Sequence, residues 1–197
     1  GGETASLSGL VTGLDLAGTC LGVQKKDKII DGSRIQPGDK ILGVPSTGVH
    51  SNGLSLARTV VEKYAAYDER LGNGRTFGEE LLVPTRIYHE SLDVASTCTV
   101  HGMCHITGGG LLNFLRLSHY GFRIGAPITP PEIFSWIQKT GDISTTEMYR
   151  TFNMGMGYAY IVPPASVTCV QNLVKGVKVV GEIIEEPGAW LRDTEIT

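Results

Sequence analysis

The chain has 197 residues, of which 41% are apolar and 19% charged, and its formal net charge is −3. These values are typical of a globular protein with one complete domain and part of another. They argue against nucleic-acid binding, which favours a basic stripe, and no apolar run reaches the roughly 18 residues of a membrane-spanning segment. Because four cysteines do not make a disulfide scaffold, the sequence predicts reduced thiols and a cytosolic location.

The first 38 residues are rich in glycine, and the turn at 36–39 marks a predicted domain boundary. From Lys40 onward, strand-like and helix-like segments alternate, which predicts an α/β (α+β layered) fold with helices packed on a mixed sheet. The predicted strands are 16–23, 28–30, 40–44, 97–106, 121–125, 156–162 and 177–184. The predicted helices are 51–66, 86–95, 111–117, one that starts at 129–132, one that starts at 144–147, and 163–176. The polar tail after Pro187 is expected to fray.

The stretch 45–53 joins a predicted strand to a predicted helix and is rich in small polar residues. Its hydroxyls, the Asn52 amide and the N–H groups at the start of the following helix suit an anion, most often a phosphate. His50, which titrates near neutrality when unperturbed, could donate to that phosphate or move a proton. An ordinary strand-to-helix turn explains the same pattern equally well, and no Gly-Lys-Ser/Thr follows to make a Walker loop.

A second loop of similar character, 105–110, contains three consecutive glycines. Such a run loses much backbone entropy on folding, which favours a functional reason for it. Near the chain's start, the acids Glu3 and Asp15 with the Thr4 hydroxyl suit Mg²⁺, although exposed turn residues are an equally good interpretation. Asn153, at the predicted end of a helix, fits a C-terminal cap better than a ligand contact.

Two cysteines and two histidines between residues 98 and 105 have a spacing that resembles a zinc site. If 97–106 is one strand, alternate side chains face opposite sides of the sheet. Cys98 and Cys104 would then point one way, and His101 and His105 the other. The predicted strand therefore weighs against zinc.

Seven runs of the sequence resemble the aminoimidazole ribonucleotide synthetase (phosphoribosylformylglycinamidine cyclo-ligase) family, in family order and over nearly the whole chain. The most specific is Glu147-Met148-Tyr149-Arg150-Thr151-Phe152-Asn153, which favours this family over the wider superfamily. The others are 1–5, 15–18, 28–32, 50–53, 84–88 and 105–110. The chain departs from the family's pattern at Ser6-Leu7-Ser8 and at Leu112, where the family usually has an acid.

The resemblance implies a homodimer of two-domain subunits that uses ATP and Mg²⁺ to close the ring of formylglycinamidine ribonucleotide. On this interpretation, 1–38 is the end of an N-terminal ATP-binding and dimerisation domain, most of which is missing, and 39–197 is the C-terminal domain. Because of that missing part, a non-catalytic ligand-binding or dimerising fragment stays an alternative. Another ATP-using member of the superfamily is a further one.

The resemblance also implies roles for individual residues. His50 is the first choice for proton transfer, and Glu3 for the metal. The expected ATP side consists of Gly2, Glu3, Thr4 and Asp15. The expected substrate or phosphate contacts are Thr47, Gly48, Ser51, Asn52, Gly53, His105, Thr107, Gly108, Gly109, Gly110 and Asn153.

Overall fold

A mixed sheet of seven strands organises residues 18–196, the part of the chain that the computed structural model describes. The strands lie in the order β2-β4-β1-β5-β3-β6-β7. Neighbouring strands are antiparallel, except for β3 and β6, which are parallel. This confirms the predicted mixed sheet. The strands are β1 (Lys40–Pro45), β2 (Gly102–His105), β3 (Gly121–Ile124), β4 (Met156–Val162), β5 (Lys178–Ile184), β6 (Gly188–Leu191) and β7 (Thr194–Glu195).

Helices cover both faces of this sheet, as the layered prediction requires. They are α1 (Leu54–Tyr64), α2 (Phe77–Leu81), α3 (Glu90–Thr97), α4 (Glu132–Thr140), α5 (Thr145–Thr151) and α6 (Val167–Leu173), with 3₁₀ turns at Lys26–Lys28, Gly110–Arg116 and Pro164–Ser166. Buried residues of α1, α4 and α5 belong to one apolar cluster, and those of α3 and α6 to a second. None of these helices within residues 18–196 is long and apolar enough to cross a membrane.

The strand β1 shows why its sequence is apolar without alternation. Ile41 packs into the first cluster, whereas Leu42 and Val44 pack into the second. Successive side chains of a strand point to opposite faces. Because both faces are covered, both sets of side chains are apolar.

Five local predictions are wrong. No strand is present at 28–30 or over the described part, 18–23, of the strand predicted for 16–23, since residues 18–25 are irregular and a 3₁₀ turn lies at Lys26–Lys28. The tail after Pro187 does not fray, because β6 pairs with β3 and buries Ala189. The helix predicted for 86–95 starts only at Glu90 and ends at Thr97, so the strand predicted from 97 is reduced to β2.

The expectation of reduced thiols is also wrong for two of the four cysteines. Cys98, at the end of α3, forms a disulfide with Cys169 of α6, and their Cα atoms lie 5.9 Å apart. The physical reason is the packing of α3 on α6 in the second cluster, which no local pattern reveals. Cys20 and Cys104 are free. The argument from one continuous strand therefore does not apply to Cys98.

Candidate functional site

The candidate site lies at one edge of the sheet. Both β1 and β2 pair with β4 in antiparallel fashion, so β1 and β2 run in the same direction and end at the edge where β4 begins. The two predicted loops leave the sheet there. They approach each other closely, since a Cβ atom built on Gly108 would lie 3.4 Å from the Asn52 Oδ1 atom. The backbone N–H of Ser46 also donates to the carbonyl of Gly155, at 2.9 Å.

His50 forms the interior of the first loop. Its side chain is only 3% exposed, and its backbone is left-handed with φ of 61°. The ring Nε2 atom accepts a hydrogen bond from the backbone N–H of Thr47 at 3.1 Å. The Thr47 hydroxyl lies 3.1 Å from the same nitrogen and donates to the Pro84 carbonyl at 2.8 Å. The imidazole thus braces the turn that it belongs to.

The charge state of His50 follows from this environment. Burial, with a further contribution from the neighbouring His105, lowers the pKa of His50 from 6.5 to about 4. The ring is therefore neutral near pH 7. With Nε2 accepting, the proton resides on Nδ1, which is buried without a hydrogen-bond partner among the described residues.

Asn153 connects the first loop to the start of β4. Its Nδ2 atom donates to the carbonyls of Gly48 at 2.9 Å and Val49 at 3.2 Å, and its Oδ1 atom accepts from the N–H of Gly155 at 2.9 Å. The residue that caps the C-terminus of α5 is Phe152 instead. The cap interpretation of Asn153 is therefore wrong, because the side chain bridges two segments that are far apart in sequence.

The second loop is held in shape by Asn113, in the 3₁₀ turn Gly110–Arg116 that follows it. The Asn113 side chain is buried, and its Nδ2 atom donates to the carbonyls of Thr107, Gly108 and Gly110. Gly110 has φ of 51°, and a Cβ atom there would lie 1.9 Å from the Tyr149 carbonyl oxygen. At this position, close packing on α5 requires the glycine.

The segment 84–88 is a third part of the site, which the sequence analysis did not assign to it. In addition to the Thr47 bond to Pro84, the hydroxyls of Ser51 and Thr85 lie 3.3 Å apart. Tyr88 is buried against His50, with ring centroids 6.4 Å apart. The segment was visible as a family-like run, but a helix predicted from residue 86 concealed its contacts with the loop.

The predicted contacts divide into those that solvent reaches and those that it does not. The exposed ones are Thr47, Ser51, His105 and Gly108, the half-buried ones are Asn52, Gly53, Thr107 and Gly109, and the buried ones are Gly48, His50, Gly110 and Asn153. Gly2, Glu3, Thr4 and Asp15 lie outside the described residues. Exposed and half-buried groups can touch a ligand directly, whereas the buried ones hold the loops in shape.

The electrostatics of this edge suit an anion. Neither α1 nor the 3₁₀ turn Gly110–Arg116 has an acidic residue in its first turn. Their N-terminal N–H groups are thus not neutralised by a carboxylate of their own first turn. A cavity of about 340 Å³ adjoins the second loop, lined in part by His105, Thr107 and Arg116. A phosphate-sized ligand fits this donor set.

A larger cavity of about 560 Å³ lies between α5 and the β6–β7 hairpin, and it contains none of the predicted contact residues. Within residues 18–196, no group of three His, Cys, Asp or Glu side chains could hold a metal ion. The sheet edge therefore remains the candidate site.

Comparison with known proteins places this geometry in a family. Residues 36–193 match the family described as AIR synthase related protein, C-terminal domain. The chain belongs to this family. AIR synthase is the cyclo-ligase named above, so the resemblance seen in the sequence is confirmed.

Relatives of known name support the same assignment. A phosphoribosylformylglycinamidine cyclo-ligase from Methanosarcina acetivorans is 50% identical over 94% of this chain, which covers 56% of that protein. The thiamine monophosphate kinase of Aquifex aeolicus shares the fold, with a TM-score of 0.54 at 13% identity over 84% of this chain and 53% of that one. Hydrogenase maturation protein HypE in complex with ATP gives a TM-score of 0.53 at 12% identity, over 81% and 46% of the two chains. The fold is thus shared by proteins of different names, and fold alone does not assign the reaction.

Proposed function

We propose that this chain is the C-terminal part of a phosphoribosylformylglycinamidine cyclo-ligase. The observation that carries the proposal is the 50% identity with the named archaeal cyclo-ligase over 94% of the chain. The reaction converts ATP and formylglycinamidine ribonucleotide to aminoimidazole ribonucleotide, ADP and phosphate. In this proposal, residues 39–197 form the C-terminal domain of a cytoplasmic homodimer, and residues 1–38 belong to the end of the preceding domain.

The chemistry explains what the site has to do. An amide oxygen is a poor leaving group, and its phosphorylation by ATP gives an iminophosphate that an internal nitrogen can attack to close the five-membered ring. The enzyme positions these groups and neutralises phosphoryl charge. Hydroxyl and amide donors at Ser51, Asn52 and Thr107, with the N-terminus of α1, suit the substrate's phosphate and polar tail.

The residue roles implied by the family become proposals about this geometry. Gly53, Gly108 and Gly109 let the backbone approach the ligand, whereas the buried residues Gly48, His50, Gly110 and Asn153 keep the two loops in place. Proton transfer by His50 stays a prediction, since its Nδ1 atom needs a partner that the described residues do not provide. The ATP complex of the similarly folded HypE supports ATP as the co-substrate.

Mg²⁺ belongs to the proposal as the ion that would accompany ATP. The described residues contain no cluster that could hold a metal ion, and Glu3, its predicted ligand, lies outside them. No chemical step is therefore assigned to the metal.

The decisive experiment is an assay of the complete protein with ATP and formylglycinamidine ribonucleotide. We expect equimolar aminoimidazole ribonucleotide and ADP. Asn52→Ala should raise KM for the ribonucleotide about tenfold, because a polar contact to a charged ligand is lost. Asn172→Ala, on the exposed surface of α6, is the matched control and should leave KM unchanged. ADP formation with a related acceptor, but not with this ribonucleotide, would assign another reaction of the superfamily.

A second candidate concerns the chain by itself. Because it spans 56% of the length of the Methanosarcina acetivorans relative, residues 1–197 alone are proposed to bind a ligand or to dimerise without turnover. The same assay on the isolated chain should give no product above the no-enzyme rate. Product formation by the isolated chain would contradict this proposal.

A further inference from the structure

Tyr88 occupies the space between the two loops of the candidate site. Its ring centroid lies 6.4 Å from that of His50, in the first loop, and 5.7 Å from that of His105, which opens the second. Both pairs meet edge to face. The ring is 8% exposed. A single buried side chain therefore touches the histidines of both loops.

The ring of Tyr88 is itself held from two sides. Tyr158 of β4 packs against it at 5.1 Å, and the Arg86 guanidinium lies 5.3 Å from its centre. Arg86 in turn forms an ion pair with Glu90, in the first turn of α3. Aromatic and cation–π contacts of this kind add to the burial of the ring. Tyr88 is thus fixed by the sheet and by α3 rather than by the loops that it touches.

Gly157 provides the space for this arrangement. A Cβ atom at position 157 would lie 1.9 Å from the Tyr88 hydroxyl oxygen and 2.8 Å from the His50 Cε1 atom. Any larger residue would displace one ring or both. Among the contacts of the described residues, the hydroxyl makes a long hydrogen bond to the Pro45 carbonyl, at 3.5 Å, so the ring matters more than its polar atom.

We propose that Tyr88 is a positioning residue that sets the placement of His50 and His105 relative to each other, and thereby of the two loops that bind the substrate. The consequence for catalysis rests on the proposed cyclo-ligase function. The placement itself does not. Tyr88 is not expected to act as an acid or base, because burial raises the pKa of Tyr88 to about 12.

The test combines two variants that remove different parts of the contact. Tyr88→Leu removes the ring, and Tyr88→Phe keeps it. In the complete protein, Tyr88→Leu should lower kcat about tenfold or more, since small misplacements of reacting groups are costly. Tyr88→Phe should stay within about threefold of wild type, because only the long hydroxyl contact is lost. Tyr64→Leu, at a tyrosine that is 52% exposed, is the control and should leave kcat unchanged.

A second readout does not depend on the reaction. The imidazole ¹H–¹⁵N resonances of His50 and His105, recorded by NMR on the chain itself, should both shift in Tyr88→Leu and stay near wild type in Tyr88→Phe. Gly157→Ala should shift these resonances as well, because its methyl group meets the rings of Tyr88 and His50. The double variant Tyr88→Phe/Gly157→Ala lacks the closest contact of the new methyl group, which is with the Tyr88 hydroxyl. Its kcat should therefore be at least about threefold higher than that of Gly157→Ala alone.

The outcomes separate the positioning role from the proposed function. If Tyr88→Leu folds and leaves both imidazole resonances and kcat unchanged, the positioning role is wrong. If Tyr88→Leu does not fold, Gly157→Ala decides: unchanged resonances, or no recovery in the double variant, would also overturn it. If the complete wild-type protein does not cyclise the ribonucleotide, but the resonances shift in Gly157→Ala and return toward wild type in the double variant, the proposed function fails and the placement by Tyr88 stands, because both variants keep the aromatic ring.

Discussion

The two loops of the candidate site are similar in sequence but are held in different ways. Loop 45–53 depends on partners that are distant in the chain, since Asn153 reaches it from 105 residues away and Pro84 from 37 residues away. Loop 105–110 depends on Asn113, only a few residues beyond its own glycines. The side-chain hydrogen bonds that hold the first loop therefore come from distant parts of the chain, whereas those that hold the second come from its local sequence.

This difference has a functional meaning. Hydrogen bonds from other segments can respond to changes in those segments, whereas the bonds from Asn113 to the second loop do not depend on them. In both loops one buried polar side chain organises the backbone and leaves neighbouring groups exposed. Substitutions that act on one loop but not on the other can therefore test the comparison.

The largest effect is expected in the second loop, from Gly110→Ala. The new methyl group would lie 1.9 Å from the Tyr149 carbonyl oxygen, at a residue whose φ is 51°. Overpacking against backbone and left-handed strain together should lower the free energy of unfolding by about 4 kcal/mol. Urea denaturation measures this.

Gly125→Ala is the matched control for that substitution. A Cβ atom there has no neighbour within 4 Å among residues 18–196, so the free energy of unfolding should change by less than about 0.5 kcal/mol. Equal stability of the two variants would mean that contact with α5 does not fix the second loop.

Reduction of the Cys98–Cys169 disulfide should act on the first loop. The bond joins α3 to α6 and closes a loop of 71 residues, for which the chain-entropy argument gives about 4 kcal/mol. Because α3 follows directly on the segment 84–88, amides of 84–88 and 45–53 should exchange faster after reduction. The exchange of amides in 105–113 should change much less.

The thiol count provides the control for this experiment. The oxidised chain should show two free thiols under denaturing conditions, from Cys20 and Cys104, and four after reduction. Cys20→Ser should leave the stability unchanged. Four thiols without reductant would restore the prediction from composition that all cysteines are reduced.

The same distinction explains what the sequence could predict. The strand β1 follows from a local apolar run. The start of α5 follows from a serine three residues before an acid, and the Ser144 side chain indeed accepts a hydrogen bond from the Glu147 N–H. Both loops were found as well, because small residues between a strand and a helix are a local pattern. The role of Asn153 could not be found, since its partners Gly48 and Val49 come near only when β1 and β4 pair. The Cys98–Cys169 bond likewise depends on helix packing.

Asn153→Ala should affect hydrogen exchange in the first loop but not in the second. The variant loses bonds to Gly48, Val49 and Gly155, and buried groups left unpaired should cost about 3 kcal/mol. Hydrogen exchange should accelerate in 45–53 and stay unchanged in 105–113. The reciprocal variant, Asn113→Ala, should cost about 2 kcal/mol and reverse the pattern. Identical exchange patterns in the two variants would contradict independent support of the loops.

The smallest effect, and the most selective, comes from pH. The pKa of His50 is lowered from 6.5 to about 4 by burial and by the neighbouring His105. Between these values the unfolded chain binds the proton and the folded one does not, so the contribution of His50 is complete above pH 6.5 and is lost as the pH falls toward 4. Between pH 7 and pH 5 this should amount to about 1 to 2 kcal/mol.

His50→Gln should remove this part of the pH dependence of unfolding, whereas His119→Gln, at an exposed histidine, should retain it. At pH 5, the protection factors of the amides, which correct for the slower intrinsic exchange at this pH, should fall in 45–53 but not in 105–113, since Asn113 does not titrate. An unchanged slope in His50→Gln would mean that the imidazole is not what braces the first loop. The Thr47 hydroxyl, through its bond to Pro84, would then be the group that keeps this loop closed against the segment 84–88.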